Sequence, residues 1–153
     1  MRESINGAWL IGIIMVFMAV FIAYTAISVN YSNAFLMRTK MITVIEQYEG
    51  MNPNSVRAIK KIIDSYGYRN YGACKEGTIG VRDEVVDRRP SGKKYHYCVG
   101  RTYRYKGDST NSEKYYYSVN VFFDFNLPVL GDIFKFNVAG ETNAIAYPYD
   151  VYF

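Results

Sequence analysis

The chain has 153 residues and a formal net charge of +4, a length that suits one domain with room for an appendage. Its basic residues are spread out and interleaved with acids: Arg57, Lys60 and Lys61, then Arg88 and Arg89, Lys93 and Lys94, Arg101 and Arg104. A nucleic-acid groove needs denser clustering on one face, so this distribution reads as a solvated surface and no nucleic-acid partner is expected.

The apolar residues are not spread evenly. From Ala8 to Val29 the chain reads AWLIGIIMVFMAVFIAYTAISV, without a charged residue. About 22 residues at ~1.5 Å each give roughly 33 Å of helix, enough to cross a hydrocarbon core of about 30 Å. A cleaved secretory signal has a shorter apolar region of about 7–15 residues. The following residues also argue for a permanent anchor. Asn30 to Tyr48 contains no Pro or Gly, and Ile27, Tyr31, Phe35, Ile42, Ile45 and Tyr48 recur at helical spacings as one apolar stripe. A single helix is expected from about Ile5 to Tyr48, roughly 65 Å long, apolar all round in its first half and amphipathic in its second. The chain thus divides into a short cytoplasmic N-terminus (1–7), a transmembrane helix (8–29) and an extracytoplasmic domain (30–153). Trp9 suits an interfacial position near the inner end. Small residues stand four apart within the span, Ala8 with Gly12 and Ala19 with Ala23, a spacing that lets helix backbones approach closely in lipid.

Gly50 suits a left-handed C-cap for the long helix, and Pro53 suits the first turn of a second helix. That second helix is expected from about Pro53 to Tyr66. Val56, Ile59, Ile62, Ile63 and Tyr66 form its apolar face, Arg57, Lys60, Lys61 and Asp64 face water, and Gly67 stops it. Tyr68 to Lys94 is irregular and glycine-rich, a loop with one short strand around Ile79-Gly80-Val81. Three strands follow by period-two alternation: Tyr95 to Tyr105, then Tyr115 to Phe125, then Phe134 through Thr142, Ala144 and Ala146. Polar turns at Lys106–Ser112 and Leu127–Asp132 separate them. The expected fold is α+β, an antiparallel meander whose apolar face (Tyr117, Val119, Val121, Phe123, Phe134 and Phe136) is covered by the Phe35, Ile42, Ile45 and Tyr48 stripe of the long helix.

The positive-inside rule scarcely orients the span, since Arg2 is offset by Glu3, and Arg38 and Lys40 begin well beyond its outer end. Cys74 and Cys98 are the only cysteines. Their spacing is unlike C-x-x-C, and two cysteines alone make no metal site. A bridge between them is the preferred reading over two free thiols, and it places the domain in an oxidising compartment with the N-terminus inside.

No catalytic, cofactor-binding or metal site emerges. His96 is the single histidine and reads as structural or solvent-exposed. Asp83, Glu84 and Asp87 stand beside Arg88 and Arg89, a self-neutralising loop and not a calcium site. Nucleophile-elbow, zinc-protease and phosphate-loop motifs are missing. An enzyme is therefore not expected. The 16 tyrosines fit either a partner-binding surface or simple strand propensity.

The order of short N-terminus, half-membrane helix, helical connector and tyrosine-rich meander resembles pilin-like proteins. The terminal stretch, with Val119 to Phe125, Leu127 to Asp132 and Phe136 to Ala146, is similar to TadE-like minor pseudopilins of tight-adherence pilus systems. That resemblance implies a membrane-anchored structural subunit of a bacterial pilus or secretion apparatus. Its anchor would contact lipid and other pilin-like subunits or pilus assembly proteins. It also implies that Glu3 is the helix-start glutamate that neutralises a neighbour's N-terminus. The chain departs from the family in that no glycine precedes Glu3. A membrane-tethered binding or sensor module is the alternative reading.

Overall fold

The structure is a computed structural model that describes residues 2–90, 92–104, 114–127 and 131–153, with backbone alone for 2–6, 124–127 and 131–135. It is an α+β fold. Helix α1 (Arg2–Gln47) is followed by α2 (Pro53–Ser65), β1 (Thr78–Arg82), β2 (Val85–Asp87), β3 (Tyr97–Arg104), β4 (Lys114–Leu127) and β5 (Gly131–Glu141). The strands form one antiparallel sheet in the order β2-β1-β3-β4-β5.

Helix α1 runs unbroken for 46 residues, because nothing between Arg2 and Gln47 breaks it: Gly7 and Gly12 are tolerated and proline is absent. It ends in a Schellman turn. The Gly50 N–H donates to the Ile45 carbonyl (2.9 Å) and the Glu49 N–H to the Glu46 carbonyl (3.2 Å). Glu49, not Gly50, takes the left-handed position (φ 54°), and Gly50 follows at φ 133°. Asn52 then caps α2. Its side chain accepts from the N–H groups of Asn54 and Ser55, the Ser55 hydroxyl accepts from the Asn52 N–H, and Pro53 opens the first turn. Gly67 (φ 62°) closes α2 with a second Schellman turn, Tyr68 N–H to Ile63 carbonyl at 3.0 Å.

The core lies between α1, α2 and one face of the sheet. Met37, Met41, Val44 and Ile45 from α1 meet Val56, Ile59 and Ile63 from α2 and Val81, Tyr97, Val99, Tyr117, Val119 and Val121 from the strands. The buried face of α1 is thus rotated by about one residue from the expected stripe. Ile45 is buried and Ile42 half-buried, but Phe35 and Tyr48 stay 45% and 40% exposed. Small or flexible side chains, Ala34, Met37 and Met41, lie where the sheet approaches the helix backbone. The Phe35 ring lies on the outer side instead, with the Arg38 guanidinium 4.1 Å from its centroid. Similarly, Phe136 is 48% exposed and stacks on Phe123 (5.3 Å between centroids) from outside the core, and Val138 takes its place inside. The Phe134 side chain and the Lys106–Ser112 turn lie outside the described residues, as do residues 128–130 of the other expected turn.

The stretch expected as loop with one strand carries a complete β1–β2 hairpin. It turns on Asp83-Glu84, with Asp83 left-handed at φ 56°. The Tyr95 strand starts later, at Tyr97, because Tyr95 pairs only with Gly72 in an isolated bridge. The last strand stops at Glu141. Beyond it, Thr142 still donates its N–H to the Tyr117 carbonyl (2.9 Å), and Ile145 bridges Tyr115. Chain continuity is therefore kept against β4 without a regular ladder.

Candidate functional site

The first half of α1 is the most unusual surface of the molecule. Every residue from Gly7 to Ile22 is exposed, and only Ala23 and Ala26 are partly covered before Ala34. Exposed apolar side chains run from Trp9 to Val29 on all sides of the helix. Soluble proteins do not present so large an apolar surface to water, whereas a bilayer requires it. The helix is long and apolar enough to cross a membrane. Thr25 and Asn30 donate side-chain hydrogen bonds to the carbonyls of Phe21 and Ala26, four residues back, so their polar groups are satisfied within the helix. Ala8, Gly12 and Ala19 are open, with no atom near the space a Gly12 side chain would fill. The Glu3 side chain lies outside the described residues.

The second half of α1 is tied to the sheet by polar contacts at its flanks. Arg38 donates to the Ala139 carbonyl (2.9 Å), and Glu46 accepts from the Asn143 N–H (2.7 Å). The bare apolar half and the spine of the domain are therefore one continuous helix, and the domain cannot swivel about the apolar half without breaking its own core.

A disulfide joins Cys74 to Cys98. Cys98 pairs with Asn120 across β3 and β4, on the sheet face opposite α1. The bridge pins the 68–77 connector over that outer face. Gly72 makes the close approach possible, because a side chain there would run into the Phe122 ring. His96 is buried beside this connector. It is stacked on Tyr71 (4.3 Å between centroids), with the Asp83 carboxylate 3.7 Å from its Nε2. Burial lowers its pKa below the usual histidine value, opposed by Asp83 and the Asn70 carbonyl. Asp87 accepts from the Tyr95 hydroxyl (2.8 Å) and the Arg89 N–H (3.0 Å), which hold its pKa down. These carboxylates serve local turns and hydrogen bonds.

One polar cluster has no counterpart in the sequence reading. The C-terminal residues cross the α1–α2 turn as a strap. Tyr149 donates its N–H to the Glu49 carbonyl (2.7 Å) and Val151 to the Met51 carbonyl (3.0 Å). Between them the Asp150 carboxylate, 6% exposed, accepts from the Met51 N–H (2.8 Å), the Tyr117 hydroxyl (2.6 Å) and Arg101 Nη1 (2.8 Å). A side chain on Gly50 would come within 2.6 Å of this carboxylate. Burial and the bond to Asp150 raise the Tyr117 pKa strongly, so the hydroxyl remains the donor. The signal available in the sequence was a lone acid in an otherwise aromatic tail, AYPYDVYF. No family model, no curated protein and no solved structure matches the chain.

Proposed function

We propose that this protein is a membrane-anchored structural subunit of pilin-like type, working in a bacterial pilus or secretion apparatus. The observation that carries the reading is the continuity of α1, whose bare apolar half and domain-spine half are one helix. Such a rod transmits the position of its anchor to the outer domain, as a subunit ordered by its neighbours requires. A tethered recognition module has no need of that stiffness. In this reading the N-terminus is cytoplasmic, the disulfide-bearing domain is extracytoplasmic, and neighbouring anchors meet along Ala8, Gly12 and Ala19.

The test is disulfide crosslinking in native membranes. Ala19→Cys should crosslink to a second membrane-spanning chain, and Phe17→Cys, on the far side of the helix, should not. Protease added to intact protoplasts should digest the domain. Absence of any crosslink from Ala19→Cys, with the domain still digested, would leave the tethered-module reading in its place.

A further inference from the structure

A groove of about 290 Å³ lies between α1 and the turn that follows α2. Asn30, Asn33 and Leu36 line it from the helix, and Tyr66, Arg69 and Asn70 from the turn. Its volume falls at the lower end of the range for small-ligand sites, about 300–1,000 Å³, which suits one small polar group. The fold holds the turn in place. Helix α2 starts beside Tyr48, whose carbonyl accepts from the Asn52 amide (2.9 Å), and runs back along α1 until the Tyr66 ring lies 5.0 Å from Lys40 Nζ. Gly67 then turns the chain, and Tyr68 is buried in the core. Arg69, next to it, is exposed.

The position of the groove along α1 follows from the helix rise. Val29 ends the charge-free run, and Asn30 and Asn33 stand about 1.5 and 5–6 Å beyond it. A hydrocarbon core of about 30 Å inside a bilayer of about 40–45 Å leaves a headgroup layer about 5–8 Å deep on each side. The floor of the groove therefore lies in that layer, and Leu36, about 10 Å beyond Val29, marks its upper rim. Below the two asparagines the same side of the helix is apolar and open. Val29, four residues before Asn33, and Ile27, three before Asn30, are both exposed.

The chemistry of the groove is that of an anion site. Among the described residues its lining holds no carboxylate side chain, and the Arg69 guanidinium and the Asn33 amide have no hydrogen-bond or ion-pair partner. Nearby cations are engaged instead: Lys40 over Tyr66, Arg82 over the Tyr71 ring (5.4 Å), and Lys60 on Asp64 (2.9 Å). Asn30 donates its amide to the Ala26 carbonyl, which leaves its side-chain oxygen as an acceptor for a hydroxyl.

We infer that this groove binds the phosphodiester headgroup of a phospholipid in the leaflet that faces the domain, with Arg69 on the phosphate. The inference rests on the anchor reading of α1. A guanidinium pairs with phosphate through parallel N–H donors, and the Asn33 amide supplies a further donor. The acyl chains follow the apolar track at Val29 and Ile27 into the span. The occupant is a lipid and not a soluble phosphate, because the anion site and the apolar track are continuous at the height of the headgroups.

The experiment is native mass spectrometry of the full chain in a non-ionic detergent, with phosphatidylglycerol or diacylglycerol added. The chain should retain one phosphatidylglycerol, and diacylglycerol, which lacks the phosphate, roughly tenfold less. Arg69→Gln should lower phosphatidylglycerol occupancy by a similar factor, and Arg57→Gln, on the far side of the domain, should leave it unchanged. Equal retention of the two lipids, or wild-type occupancy in Arg69→Gln, overturns the inference and assigns the bound lipid to the apolar half of α1 alone. Full displacement of the lipid by millimolar glycerol phosphate also overturns it, and makes the groove a site for soluble phosphate. The anchor is checked separately by alkaline carbonate washing of liposomes that carry the chain. Release of the chain by that wash overturns the anchor reading and the inference with it.

Discussion

The C-terminal strap makes a quantitative prediction, because its single carboxylate satisfies three donors at once. Asp150→Ala deletes the acceptor for the Met51 N–H, the Tyr117 hydroxyl and Arg101. The first two donors sit where water does not readily replace the carboxylate, and each orphan costs about 1–3 kcal/mol. Arg101 contributes little beyond this, because its side chain is 32% exposed and can turn to solvent. The expected loss is about 3–5 kcal/mol, large for a domain whose total stability is of order 5–15 kcal/mol. Asp150→Asn keeps one acceptor oxygen for the Met51 N–H but sets its amide against Arg101, and should cost about 1–2 kcal/mol. Tyr117→Phe combined with Asp150→Ala should be no less stable than Asp150→Ala alone, because the double variant has no orphaned hydroxyl. Equilibrium urea unfolding of the full chain in detergent micelles, followed by tyrosine near-ultraviolet circular dichroism, measures all of these. An Asp150→Ala protein within about 0.5 kcal/mol of wild type would refute the reasoning, since that is the range of ordinary surface substitutions.

Other parts of the domain give further expectations. The Tyr97 hydroxyl is fully buried with no hydrogen-bond partner among the described residues, so Tyr97→Phe should be neutral or stabilising by about 1 kcal/mol in the same unfolding assay. Reducing the Cys74–Cys98 bridge, which spans 24 residues of sequence, should cost roughly 3–4 kcal/mol, read as a drop in urea midpoint with dithiothreitol. Because His96 has a lower pKa folded than unfolded, the unfolded chain takes up its proton first as pH falls. Stability from this group is therefore full above about pH 7 and lost on descent below about 6.5, with a slope of at most about 1.4 kcal/mol per pH unit. His96→Gln should flatten the melting temperature between pH 7.5 and 5.

The sequence made the coarse architecture legible because its signals are strong and local. A charge-free run fixes the exposed half of α1, Asn52-Pro53 and Gly67 bound α2, and period-two alternation marks β3 and β4. The phase of the α1 stripe was not legible, because apolar residues occupy two adjacent flanks of the helix, Ala34-Met37-Met41-Val44 and Phe35-Ile42-Ile45. Hydrophobicity ranks the aromatic flank higher, but the choice belongs to the sheet, whose close approach favours alanine and methionine. The β1–β2 hairpin was hidden by its shortness, since Val85–Asp87 is too short to show alternation. The Asp150 cluster joins residues far apart in sequence, and such a contact leaves no periodic trace.

The face of α1 that meets the sheet continues down the anchor. Ala34, Met37, Met41 and Val44 are spaced by threes and fours, and the same progression backward passes through Asn30, Ala26, Ala23 and Ala19, then reaches Gly12 and Ala8. The small residues of the span therefore lie on the side of the rod that carries the domain. Along that side, Ala23 and Ala26 are already partly covered, Ala26 by packing against Phe123 and Val138. On the proposed reading, a neighbouring helix finds the close-packing face open only from Ala8 to Ala19, below the partly covered Ala23 and Ala26. Helix contact in the membrane and the docking of one subunit's domain over the next would then be a single geometric event. This is why Ala19→Cys and Phe17→Cys, two residues apart but on opposite sides of the helix, are expected to differ so sharply in crosslinking.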